Sequence, residues 1–173
     1  MSVLNKLAEL AVVLVLAAAA PTHGAEAGVP VVFARPPIIR FGAGVSELEQ
    51  SLGESCGSLD TREIDPPFLP DVERRQMQID CDGFEFRGRP RWAEFVFRDD
   101  SLVMVWILTT AEEEAEILTA MTAAYGEPSH RGADWFGFVD HLAAIRRDKP
   151  EVLFYSEALA DVYREWFAEN VGE

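Results

Sequence analysis

Residues Gln78–Phe97 read QIDCDGFEFRGRPRWAEFVF, and the spacing of their apolar letters sets the fold class. With Gln76 and Met77 added, the side chains alternate: Met77, Ile79 and Cys81 fall on one side, Gln76, Gln78, Asp80 and Asp82 on the other. A period of two marks a half-buried β-strand whose polar letters face solvent. Past Gly83 the parity slips, because Phe84 and Phe86 become the apolar positions and Glu85 and Arg87 the polar ones. One extra residue in one strand produces such a slip, so Gly83 is expected to be a bulge or a tight bend. Arg87–Pro90 then reads as a turn, after which Phe95 and Phe97 point inward while Glu94 and Arg98 point outward.

Working outward, Leu102–Leu108 (LVMVWIL) is apolar on both faces and belongs in the middle of a sheet. Thr110 opens the pattern T-A-E-E, a capping box for a helix whose stripe is Ala115, Leu118, Met121 or Thr122, and Tyr125. Gly126 ends that helix and Pro128 prevents its resumption. Three further strands are expected at Trp135–Val139, Leu142–Arg146 and Glu151–Tyr155, and Ser156 is placed to cap a last helix striped by Leu159, Val162 or Tyr163, and Trp166. Upstream, S-E-L-E at Ser46–Glu49 predicts a first helix running to Gly53 or Cys56 with Leu48 and Leu52 on one face. Three prolines between Ser58 and Asp71 exclude helix there and predict an ordered loop. The expected architecture is therefore α+β: an antiparallel sheet of about five to six strands packed by two or three helices, in the order α-βββ-α-βββ-α. An echo between LGES at 52–55 and YGEPS at 125–129, each closing a helix ahead of strands, suggests a duplicated unit.

Residues 1–27 have Lys6 in a short start, an apolar stretch from Leu10 to Ala20 and small residues at Ala25 and Ala27, which is the layout of a secretory signal peptide. The expected organisation is a signal peptide at 1–27, an extended arm at 28–44 and one α+β domain at 45–173, located in the periplasm or secreted. No membrane anchor is expected in the mature chain, since its apolar runs fall short of the roughly 20 residues that cross a bilayer. The formal charge of the 173-residue chain is −15, and −14 once Lys6, Glu9 and Glu26 leave with the leader. Such a surface repels nucleic acid and anionic lipid. Two cysteines in an exported chain, Cys56 and Cys81, are candidates for a disulfide.

A helix closing on "LG" or "YGEP" and leading into an antiparallel sheet resembles the small cell-envelope domains of the BamE-like and β-lactamase-inhibitor-protein-like group. The resemblance spans about Val45–Tyr155. It implies an envelope adaptor or inhibitor that contacts other proteins through its exposed sheet. Adaptors of that group are usually lipoproteins, whereas the first cysteine here, Cys56, lies far downstream of the leader.

Motifs for chemistry are sparse. Setting Gly83 as position 6 of a calcium loop puts Gln78 at position 1 and Arg89 at position 12, where a bidentate carboxylate is required. Cys56, Cys81, His130 and His141 have no zinc-ligand spacing. G-A-G-V-S-E at Gly42 ends in glutamate where a dinucleotide loop needs glycine, and there is no G-x-S-x-G elbow. The sequence is read as non-enzymatic and without cofactor or metal. The one feature opposed to the net acidity is Arg87, Arg89 and Arg91 with Trp92 beside them, a candidate contact for an envelope protein partner. The bland reading is that these arginines pair with Asp80, Asp82 and Glu85 across the strands. The rival function is a carrier of a small apolar ligand in a cavity between sheet and helices, lined by Phe84, Phe86, Phe95, Trp106 and Trp135.

Overall fold

The structure is a computed structural model, described over residues 33–170; the expected leader lies outside these residues. Its centre is one eight-stranded sheet in the order β1-β2-β3-β4-β8-β7-β6-β5, antiparallel throughout. The strands are β1 (Ser58–Ile64), β2 (Gln76–Phe86), β3 (Arg89–Arg98), β4 (Ser101–Leu108), β5 (His130–Arg131), β6 (Trp135–Phe138), β7 (Ala143–Arg146) and β8 (Glu151–Tyr155). Three helices accompany them: α1 (Val45–Gly53), α2 (Glu114–Tyr125) and α3 (Ala160–Glu169). The chain thus runs helix, four-stranded meander, helix, four-stranded meander, helix, and the two meanders join where β4 pairs with β8. The α+β antiparallel expectation holds, but eight strands replace five to six.

Both added strands lack the apolar alternation that marks a strand in sequence. β1 occupies the segment expected to be a loop and is an edge strand in which only Leu59 and Ile64 are half-buried. β5 is two residues long and forms the opposite edge.

Side-chain parity sorts the sheet into two differently covered faces. The back face carries Ile79, Cys81, Phe95, Val105, Ile145, Val152 and Phe154, and packs against α1 (Val45, Leu48, Leu52) and α2 (Ile117, Met121). The front face carries Val96, Met104, Ala144, Leu153 and Tyr155, and packs against Leu159 and Phe167 of the last helical segment. Burying each large apolar side chain stabilises the fold by about 1.5–3 kcal/mol. The arm is part of this core: Phe33 meets Phe86, Tyr125 and Phe154 with ring centroids 5.6–6.1 Å apart, and Ile39 is fully buried.

Several local expectations are corrected. Ser46 lies inside α1, whose N-cap is Gly44; the Val45 amide donates instead to Asp100 Oδ1 at 3.2 Å, so the β3–β4 turn caps the helix. The capping box at Thr110 and Glu113 forms as expected, through one 3₁₀ turn before α2. The fully buried residues of α2 are Ile117 and the expected Met121; Leu118 and Tyr125 pack half-buried on the core, and Ala115 is exposed. Within α3 the buried residue of the second turn is Phe167, while Val162 is exposed. Gly83 is a bulge: the β2–β3 register shifts between Asp82 and Phe84, and Gly83 takes φ +83°, a left-handed conformation that glycine adopts without a Cβ penalty. Gln76, Gln78 and Asp80, expected to face solvent, are buried, because the 65–75 segment and Arg62 lie over that part of the front face.

Candidate functional site

The cysteine pair is settled first: Cys56 and Cys81 form a disulfide, with Cα atoms 5.6 Å apart. It ties the end of α1 and the start of β1 to the middle of β2, and it removes both sulfurs from any ligand set. Asp80 is on the front face of β2 and Cys81 on its back face, while His130 and His141 lie at the far edge of the sheet. His130 packs on Phe167 at 5.7 Å and His141 stacks on Tyr125 at 4.4 Å. These groups do not converge.

The four residues singled out as a contact are split by strand parity. Arg87, Arg89 and Arg91 turn toward the start of α2, whereas Trp92 stands on the front face, exposed. Arg91 is buried and donates two hydrogen bonds of 2.6 Å to Glu113; Arg89 also reaches Glu113, and Arg87 donates to Glu116 at 2.9 Å. Glu113 does double duty, since its Oε2 accepts the Thr110 amide at 3.1 Å and so caps the helix. The Arg91 hydrogen bonds hold the Glu113 carboxyl at about 2, against the desolvation that would raise it. The acids that neutralise the arginines are therefore Glu113 and Glu116, 22 to 29 residues further along the chain, and not Asp80, Asp82 or Glu85. Arg91 and Glu113 form a buried clasp between β3 and the 3₁₀ turn that opens α2, with Arg89, 59% exposed, at its rim.

A different site emerges on the front face. A groove of about 320 Å³ has its floor on Met104, Trp106, Trp135 and Arg146, one lip on Phe68–Pro70 and the other on α3. Two of its residues, Trp106 and Trp135, belong to the cavity expected for a carrier; Phe84, Phe86 and Phe95 are instead solid core on the back face. Both lips are held by named contacts. Gln76, buried beneath the first lip, accepts the amides of Phe68 and Leu69 at 3.0 and 2.9 Å, and Arg98 donates to the Pro70 carbonyl at 3.3 Å. Against the second, Tyr163 donates to Met104 Sδ at 2.9 Å and lies on Tyr155 at 4.3 Å, while Trp166 meets Trp135 edge-on at 5.0 Å. Burial pushes the Tyr155 and Tyr163 phenols up.

The charge inside the groove is already spent. Arg146, its one charged lining residue, sits over the Trp135 ring at 5.4 Å, grips Asp148 with two hydrogen bonds of 2.7 and 2.8 Å, and reaches Glu151 at 3.2 Å. That guanidinium holds the Asp148 carboxyl at about 2. The surface offered to an occupant is indole, thioether, proline and aliphatic carbon. By contrast, a wider hollow of about 560 Å³ between the arm and α1 is polar, and its Arg40, Glu47 and Ser51 bond to one another.

Exposure on the rest of the surface points the same way. Among the described residues the large hydrophobic side chains left exposed are Phe68 at 58%, Val162 at 43% and Trp92 at 39%. Phe68 and Val162 are the two lips of the groove, and Trp92 stands on the same face, two positions before Glu94, the cross-strand partner of Trp106. The charged residues of these elements are of both signs: Asp82, Glu94 and Glu165 are joined by Asp161, which pairs with Arg164, and by Arg62, which is bonded to the buried Asp80. Phe68 carries the one sequence signal that was available, an aromatic flanked by prolines in the run PPFLP. No family model, curated protein or solved structure matches the chain.

Proposed function

We propose that this is a non-enzymatic, exported binding module whose front sheet face docks a basic envelope protein that inserts an apolar side chain into the Trp106–Trp135–Trp166 groove. The observation that carries this reading is the gathering of the exposed hydrophobics Phe68, Trp92 and Val162 on one face, around an apolar slot. Aromatic anchors in a central pocket with a polar rim are how protein interfaces concentrate binding energy. The net charge of −15 matches a partner of opposite sign. The disulfide and the lack, among the described residues, of a helix long and apolar enough to cross a membrane fit an address outside the cytoplasm. The repeated helix-plus-meander order supports reading the domain as a duplicated unit. Sheet-face docking is also what the resemblance to the BamE-like and β-lactamase-inhibitor-protein-like group would imply.

The test places a photo-crosslinking amino acid at Val162 of the exported chain in its own envelope. The expected result is a discrete protein adduct, to a basic partner, that is lost in Trp106→Ala/Trp135→Ala and kept in Arg89→Glu. The reading is overturned by an adduct indifferent to the two indoles, or by native mass spectrometry finding a non-protein mass that those same substitutions release. The second outcome establishes the carrier instead, a pocket of about 300 Å³ being at the lower end of ligand-site volumes.

A further inference from the structure

The two edges of the sheet are managed differently. Natural sheets blunt their edges with short strands, charged side chains, proline, bulges or cover. β5 uses the first device, being two residues long. β1 relies on charge alone, with Asp60, Arg62 and Glu63 exposed: it is seven residues, contains no proline, holds no bulge in its register with β2, and among the described residues no element pairs with its outer side. The Cys56–Cys81 bridge pins its start, so the edge is presented in a fixed position.

Reversed on itself about its centre, the sequence of that edge, Ser-Leu-Asp-Thr-Arg-Glu-Ile, sets Asp60 opposite Arg62 and Glu63 opposite the uncharged Leu59. When two copies of a strand pair antiparallel about a two-fold axis, opposite residues share a face, so the axis must pass through a residue. Centred on Asp60, Arg62 or Glu63, the pairing sets like charges directly opposite, which is destabilising. Centred on Leu59, it leaves the C-terminal half unpaired. Centred on Thr61, it pairs all seven residues: Asp60 meets the second copy's Arg62 twice on the front face, and Thr61 meets Thr61 on the back. Asp60 is 73% exposed, and Arg62, 44% exposed and already bonded to the buried Asp80, would bridge that carboxylate and the second copy's Asp60.

We infer that β1 is a self-pairing edge, through which two copies of this chain associate antiparallel about Thr61 into one continuous sheet. This rests on the strand and its sequence, independently of the groove. One strand pair covers less than the roughly 1,200 Å² of a standard interface, so the dimer is weak and appears at micromolar to millimolar concentration.

Sedimentation velocity of the leader-free, disulfide-intact protein over that concentration range tests the inference. The expected result is a concentration-dependent monomer–dimer equilibrium that Asp60→Lys weakens by about tenfold or more, since two attractive pairs become two repulsive ones. Glu73→Lys, an equal charge change on an exposed loop away from the strand, leaves it within about twofold. The inference is overturned if the protein is monomeric throughout, or if Asp60→Lys and Glu73→Lys act alike. Circular dichroism and thiol titration of each variant verify that the fold and the disulfide are intact.

Discussion

Glu113→Gln separates a structural clasp from a surface decoration, and the difference is large enough to measure. In the wild-type protein Glu113 and Arg91 have side chains only 9% and 8% exposed, and the carboxylate accepts from Arg91, Arg89 and the Thr110 amide. An exposed pair contributes about 0–1 kcal/mol. Removing one partner of a buried pair costs about 3–5 kcal/mol, because the other charge stays desolvated without compensation. Arg89 is 59% exposed and returns to water at little cost, and the glutamine carbonyl retains one acceptor, so about 3 kcal/mol is expected. Urea unfolding at pH 7 with an unchanged m-value reads this directly. Arg91→Met/Glu113→Leu, which removes both charges, should lose far less than Glu113→Gln. The pH dependence carries a sign. With the folded carboxyl near 2 and the unfolded one near 4.5, the stability due to Glu113 is complete above 4.5 and disappears as pH falls toward 2. The wild type and Glu113→Gln should therefore converge in acid. A loss below about 1 kcal/mol at pH 7 refutes the clasp.

Two further outcomes follow from the same geometry. Cys56→Ala/Cys81→Ala opens a loop of sequence separation 25, for which chain entropy gives a loss of about 3.5 kcal/mol by guanidinium unfolding, with hydrogen exchange in β1 accelerating first; a loss under about 1 kcal/mol contradicts it. Glu151 is buried in β8 and burial raises its carboxyl, opposed by Lys149 and Arg146, so the folded state favours its protonated form and that advantage fades as pH rises through the folded value. Glu151→Gln should accordingly become relatively more favourable from pH 4 to pH 7 in thermal unfolding, and a trend in the opposite direction would show that the two cations outweigh desolvation.

How much of this was legible depended on whether the cause was local. Alternation in β2 and β3, the doubly apolar run of β4, the bulge at Gly83 and the capping box at Thr110 each follow from neighbours within a few residues, and each is found. The cysteine pair was legible from the expected leader and the even count. β1 was not, because an edge strand needs only two half-buried positions and its polar letters resemble a loop. Nor was the clasp: acids within the same hairpin were the natural partners for Arg89 and Arg91, and the choice of Glu113 depends on α2 crossing the back face behind β3. The groove was half legible. Trp106 and Trp135 were picked out for their bulk, but β-strand parity sends Phe95 to the face opposite Glu94 and Trp106, so no single cavity can contain all the aromatics named from sequence.

The asymmetry of the two faces is the reason for placing the proposed contact on the front. Behind the sheet, α1, α2 and the arm with Phe33 and Ile39 close the core, and the arginines there are neutralised. In front, α3 packs on the half built from β5–β8, while the other half has only the 65–75 segment, which leaves a slot where the two covers fail to meet. Self-pairing through β1 acts on this arrangement without disturbing it. Opposite residues of an antiparallel pair point to the same face, so two chains joined at Thr61 would present both grooves on one side of a shared sheet. A partner repeated along a surface would then be held at two points, and the second engagement would draw on effective concentration rather than on any new contact. Loss of affinity in Asp60→Lys for an arrayed partner, with affinity for a single copy of that partner unchanged, is the signature that links the edge to the groove.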